Sequence, residues 1–101
     1  MSNPISSSSA AAPVAAYSQA VEAGDLVFVS GQIPLNPENG ELVAETIEAA
    51  TAQSLRNVTR VLEAAGLGLE QVVKTTVFLI DSGDYAGMDA TYRTTVPEPF
   101  P

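Results

Sequence analysis

The clearest periodicity in the chain lies between Glu45 and Ala65. Ile47, Ala50, Leu55, Val58, Leu62 and Ala65 recur at helical spacing on one face, while Glu45, Glu48, Gln53, Arg56, Asn57, Arg60 and Glu63 fall largely elsewhere. Apolar residues three and four apart stack along one side of a 3.6-residue turn, so the pattern predicts an amphipathic helix whose stripe must lie on a sheet. Gly66 follows as its stop signal. Upstream, Val14–Glu22 and Leu26–Ser30 flank Ala23-Gly24-Asp25, and the β-branched and aromatic run Val27-Phe28-Val29 predicts a hairpin with a largely buried second strand. The turn formers from Pro34 to Gly40 predict an ordered surface loop.

Downstream, Gln71–Ile80 switches to a period of two. Val73, Thr75, Val77 and Leu79 point one way and Val72, Lys74, Thr76, Phe78 and Ile80 the other. Both sets are mostly apolar or β-branched, which predicts an interior strand with two covered faces. One helix covers one face, and a partner subunit is the expected cover for the other. Asp81-Ser82-Gly83-Asp84 offers a cap for a second helix with Tyr85, Met88 and Tyr92 on one face, and Pro97, Pro99 and Pro101 end regular structure. The order β-β-α-β-α predicts an α+β fold in which helices pack on one face of a mixed sheet.

A chain of 101 residues reads as one domain. Residues 1–12, with the run Ser6–Ser9 followed by alanines, are expected to form a flexible leader, and residues 13–101 the domain. Hydrophobic residues make up 46% and charged residues 16%, a globular rather than disordered balance. No stretch approaches the ~20 apolar residues of a membrane-spanning helix. The N-terminus shows no secretory or transit signal, so a cytoplasmic protein is expected.

Charge and missing residue types narrow the chemistry. The net charge is −8, and the basic residues are only Arg56, Arg60, Lys74 and Arg93. Binding to nucleic acid or to an anionic membrane surface is not expected of such a chain, because both depend on clustered cations. The chain has no cysteine and no histidine. Disulfides, thiol nucleophiles, Ser-His dyads and the commonest metal ligands are therefore excluded. No phosphate-binding glycine motif occurs.

Several stretches, in order, carry a family resemblance: Ala16-Tyr17-Ser18-Gln19-Ala20, Leu26-Val27-Phe28-Val29-Ser30-Gly31-Gln32-Ile33-Pro34, Arg56-Asn57 with Leu62-Glu63-Ala64-Ala65-Gly66, Val72–Leu79, and Asp84–Tyr92. They resemble the Rid (YjgF-like) family of reactive-intermediate imine/enamine deaminases. The resemblance implies a chorismate-mutase-like α+β fold, homotrimers with clefts between subunits, and no metal or organic cofactor. It implies hydrolysis of 2-imino acids, such as 2-iminobutanoate and 2-iminopropanoate, to 2-keto acids and ammonia. In the family an arginine in a P-A-R-S segment clamps the substrate carboxylate, a task that suits a planar guanidinium, and a C-terminal glutamate handles water. This sequence reaches Phe100-Pro101 where that segment would start. Neither residue has a counterpart here, and the family's last two strands are expected to be missing. The expectation is a shortened or partner-completed domain with impaired activity.

The site residues that the resemblance assigns are Tyr17, Ser30, Gly31, Gln32 and Asp89. Tyr17 would shape the cleft, Ser30 would hydrogen-bond substrate or water, and Gly31 would let a ligand approach the backbone. Asp89 stands where many relatives have Asn, and its charge would repel a carboxylate. The catalytic residues themselves stay unassigned. Arg56 and Arg60, one helical turn apart, are expected to pair with Glu45, Glu48 or Glu63 on a solvated face, and Arg93 to lie against the end of the second helix. The alternative is a non-catalytic small-molecule-binding or assembly protein, whose open sheet edge would take up a partner strand. The family's older association with RNA cleavage fits poorly with the charge and the absent histidine.

Overall fold

A computed structural model describes residues 2–101. Its sheet has the order β1 (Ser2–Ile5), β2 (Ala20–Ala23), β3 (Leu26–Val29), and both pairings are antiparallel. The hairpin turn holds Gly24 at φ 61°, the positive value that its first central position requires and that glycine takes without a Cβ clash. Register sorts the residues by face. Ile5, Ala20 and Val29 align across the strands, as do Glu22 and Val27. Ile5, Val27 and Val29 pack with Ala10, Ala20 and Val61 in the core. Leu26 and Phe28 project from the other face and are exposed.

The main helix, α1, runs from Ile47 to Ala64, with Thr46 Oγ1 accepting from the Ala49 N–H at 3.0 Å as the N-cap. It ends in a Schellman arrangement. Leu67 N–H donates to Leu62 O at 2.9 Å, Gly66 N–H to Glu63 O at 3.0 Å, and Gly66 takes φ 75°. The second helix, α2 (Tyr85–Thr95), follows a short 3₁₀ turn in which Asp81 Oδ1 accepts from the Gly83 N–H at 2.8 Å. The two helices pack together, with Met88 buried. They approach closely at Gly87, where an added Cβ would lie 2.6 Å from Ile47 Cγ2. No helix among the described residues is long and apolar enough to cross a membrane.

Three expectations need correction. Residues 2–12 are not a loose leader. Ser2–Ile5 pairs with β2 as an edge strand, the one sheet position that tolerates Pro4, and Ala10 and Ala11 are buried. The fastener is Gln19, itself buried. Its Oε1 accepts from Ser7 N–H at 2.6 Å, and its Nε2 donates to Ser7 O at 3.2 Å and Ala11 O at 2.7 Å. The expectation for Met1 lies outside the described residues.

The second correction concerns 71–80, which forms no ladder among the described residues, so the sheet present is antiparallel rather than mixed. Its alternation survives in part. Thr75, Val77 and Leu79 line a cleft against α2, while Phe78 and Ile80 are 91% and 106% exposed. Strand propensity alone does not make a strand; the backbone groups need a neighbour to bond. The third correction is on α1. Gln53 and Asn57, read as polar-face residues, lie on the buried side with Val61 and Leu62.

Replacing Gln19 by Ala should leave the Ser7 N–H and the Ser7 and Ala11 carbonyls unpaired and destabilise the domain by about 1–3 kcal/mol. Urea denaturation measures this. Limited proteolysis should show new cleavage within residues 2–11, and an unchanged digest would show that the segment is held by other means.

Candidate functional site

The site begins where β3 ends. Ser30 N–H donates to Gln19 O at 3.0 Å, and Ser30 Oγ donates to Ser18 O at 2.6 Å. These bonds tie the end of β3 to the Tyr17–Gln19 segment. Three of the expected residues, Ser30, Gly31 and Gln32, are contiguous, and Tyr17 is next to their anchor. Because the Ser30 hydroxyl spends its hydrogen on Ser18, it faces a ligand as an acceptor rather than a donor. Tyr17 is the complement. Its oxygen accepts from Val14 N–H at 3.3 Å, which leaves its own O–H free to donate.

Gly31 is exposed and has no atom within 4 Å of the position a Cβ would take. No hydrogen bond from the N–H of Gly31 or Gln32 occurs among the described residues, while Gln32 Nε2 reaches back to Ser30 O at 3.2 Å. The N–H groups of Gly31 and Gln32, and separately the Tyr17 O–H, are thus donors with no acceptor among the described residues. Such donors suit a carboxylate or a developing oxyanion.

Asp89 lies elsewhere. It lines the cleft of about 290 Å³ between 75–79 and α2, together with Tyr85, Met88 and Tyr92, and none of Tyr17, Ser30, Gly31 or Gln32 borders that cleft. Tyr92 Oη and Thr75 Oγ1 share a hydrogen bond of 2.8 Å across it. The Asp89 carboxylate accepts from Arg93 Nε at 2.7 Å, which offsets the repulsion expected of an isolated Asp. That hydrogen bond, with the Asp89 charge, raises the Arg93 pKa above its usual value. Arg93 lies in the last turn of α2, as expected, and pairs there with Asp89 within its own helix.

A larger groove, about 360 Å³, is bordered by Arg56, Thr59, Arg60, Glu63 and Thr95. The ion pairs expected for Arg56 and Arg60 do not form among the described residues; Arg56 Nη1 instead donates to Gln53 Oε1 at 3.1 Å. Among the described residues no three acidic side chains converge on a point that could hold a metal ion.

Sequence reasoning missed the residue that fixes the far end of the site loop. Asn57 is fully buried, and its Nδ2 donates to Ile33 O at 3.2 Å and Leu35 O at 2.9 Å. The available signal was the pair Gln53 and Asn57, one helical turn apart and in register with Val61.

A helix laid across an antiparallel sheet defines an α+β domain. Comparison with known proteins is specific. A family model described as Endoribonuclease L-PSP matches residues 7–101. A RutC family protein of Pyrococcus horikoshii is 46% identical over 80 residues, 79% of this chain but only 64% of that protein, just under two thirds of its length. The 2-iminobutanoate/2-iminopropanoate deaminase of Escherichia coli (strain K12) is 45% identical over 93 residues, 92% of this chain and 72% of that protein. The crystal structure of RidA from an Antarctic Psychrobacter superposes with a TM-score of 0.94 at 38% identity, covering 98% of this chain and 80% of that one. The chain belongs to the YjgF/RidA family, that of the Endoribonuclease L-PSP model.

The Asp89–Arg93 pair is solvent-exposed, and such pairs contribute little. Asp89→Asn should therefore leave the urea midpoint unchanged. A clear loss would mean that the pair fixes α2.

Proposed function

We propose that this chain serves the hydrolysis of reactive 2-imino acids to 2-keto acids and ammonia. The observation that carries the reading is the 45% identity, over 92% of the chain, to a protein named for this reaction. The open donors at the end of β3 support it. Water adds to C2 of the protonated imine, R–C(=NH₂⁺)–COO⁻, giving a carbinolamine. That intermediate expels ammonia as its hydroxyl proton moves to nitrogen, leaving R–C(=O)–COO⁻ and NH₄⁺. In this reading the N–H groups of Gly31 and Gln32 hold the substrate carboxylate, Ser30 Oγ accepts from the imine nitrogen or the attacking water, and the Tyr17 O–H donates to the oxygen that forms. No guanidinium among the described residues bonds to this cluster: Arg93 pairs with Asp89, Arg56 bonds Gln53, and Arg60 borders the separate groove beside Arg56. The expected activity is accordingly low.

The same reading carries a homotrimer with sites between subunits. Its support is the uncovered apolar surface: Leu26 and Phe28 on the open sheet face, with Val73, Phe78 and Ile80 beyond. Covering such surface is a strong drive to associate.

The test is ketone formation from 2-iminobutanoate generated in situ, against a buffer blank, with folding checked by circular dichroism on the same sample. Acceleration is expected, and Tyr17→Phe should reduce kcat by about tenfold or more, the scale of a lost oriented donor. A folded sample that matches the blank sinks the catalytic reading. Sedimentation equilibrium should give three times the 10.5 kDa chain mass, shifting toward monomer in Phe28→Asp. A monomeric parent chain would remove the trimer.

A further inference from the structure

Gly31 and Gln32 hang between two fixed points. On one side Ser30 is bonded to Ser18 and Gln19. On the other, Ile33 O and Leu35 O are held by Asn57 from inside α1. We infer that Asn57 is a positioning residue for this site, and that Gln53 and exposed Arg56 fix the direction in which its amide points. The inference rests on the reading of Ser30–Gln32 as the substrate-binding segment.

A carboxamide has two N–H donors on one side and an oxygen on the other, and a buried one must satisfy both. Asn57 Nδ2 faces two carbonyls, and its Oδ1 accepts from Gln53 Nε2 at 3.2 Å. Gln53 Oε1 in turn accepts from Arg56 Nη1 at 3.1 Å. A guanidinium can only donate, so it admits only the oxygen of Gln53. That choice turns the Gln53 N–H toward Asn57, which must answer with oxygen and so presents its own N–H pair to the loop. Reversing either amide would set like groups against each other in a buried site. An exposed cation thus sets the polarity of a chain that ends on the backbone of the site loop.

This loop has little else to hold it. Leu35 N–H donates to Ile33 O at 2.8 Å, Val43 N–H to Pro34 O at 2.8 Å, and Leu35 forms a single bridge with Leu42. Those bonds shape residues 33–43 among themselves. Only Asn57 fastens them to α1 by side-chain hydrogen bonds among the described residues. A shift of the loop would carry the Gly31 and Gln32 N–H groups with it, and misplaced donors lose much of their value.

The test uses the intact chain with two variants and two readouts. Arg56→Met removes an exposed guanidinium and keeps the fold, whereas Asn57→Asp sets a carboxylate against two carbonyl oxygens. Amide hydrogen exchange is followed at Leu35 and Val43, whose N–H groups are bonded within the loop, and at Val21 and Phe28 in the sheet, and affinity for 2-ketobutanoate is read from the Gly31 and Gln32 amide resonances. Arg56→Met should speed exchange at Leu35 and Val43 and weaken 2-ketobutanoate by about threefold with the sheet amides unchanged, and Asn57→Asp by about tenfold or more, on the scale of lost buried hydrogen bonds. The Asn57→Asp loss should shrink as the pH falls and the introduced carboxyl regains a proton to donate. Exchange that rises equally in loop and sheet, with affinity unchanged in the folded fraction, would show that Asn57 only stabilises the core and would overturn the inference. If the parent chain does not bind 2-ketobutanoate, the substrate reading fails, whereas faster exchange confined to Leu35 and Val43 would still uphold the anchoring of the loop by Asn57.

Discussion

A carboxamide with no exposure to solvent has to find all its partners inside the protein, and Asn57 is such a group. Its partners come from the loop after β3 and from the previous turn of α1. Satisfying it fixes how far α1 can slide along the sheet and how far the loop can move from the helix. Apolar contacts such as Val61 on Ala20 supply the attraction but tolerate small displacements. Hydrogen bonds with narrow geometry do not. The buried amide thus turns a greasy helix–sheet contact into one defined arrangement, and the site loop inherits that definition.

Gln19, just before β2, does the same for the N-terminal segment. Two buried carboxamides therefore serve the same end of the sheet, one holding the N-terminal segment and one the loop from Gly31 to Leu35. Both reach main-chain groups, Asn57 also taking a bond from the Gln53 side chain, so each organises stretches of chain that have little regular structure of their own. The ends of β3 and the Tyr17–Gln19 segment are then joined by Ser30, whose hydroxyl hydrogen is spent on that structural bond. The Tyr17 O–H and the N–H groups of Gly31 and Gln32 are left without an acceptor among the described residues.

The opposite face of the domain is unfinished by the standards of a buried sheet. Leu26 and Phe28 stand open on β3, and the run from Val73 to Ile80 carries strand-forming side chains without ladder partners among the described residues. Only its contact with α2, through Thr75 and Tyr92, gives that run a place. Uncovered apolar surface and unpaired backbone make this the side where association has most to gain.

Local chemistry and periodicity in the sequence settled the α+β class, α1 with its Gly66 stop, the hairpin around Gly24, the Pro34–Gly40 loop and the start of α2. Each follows from short-range rules: apolar spacing, side-chain caps, and a glycine where φ is positive. Tertiary structure decided the rest, because it depended on partners distant in the chain. A polar Ser2–Ile5 became a strand since β2 had a free edge, and strand-like 71–80 formed no ladder since nothing among the described residues bonds it. Gln53 and Asn57 look like surface residues by composition, yet they are buried because their amides meet main-chain and side-chain partners that only the assembled fold brings within reach. Whether a polar side chain faces water or the core is decided by whether a partner waits there, and that information is not local.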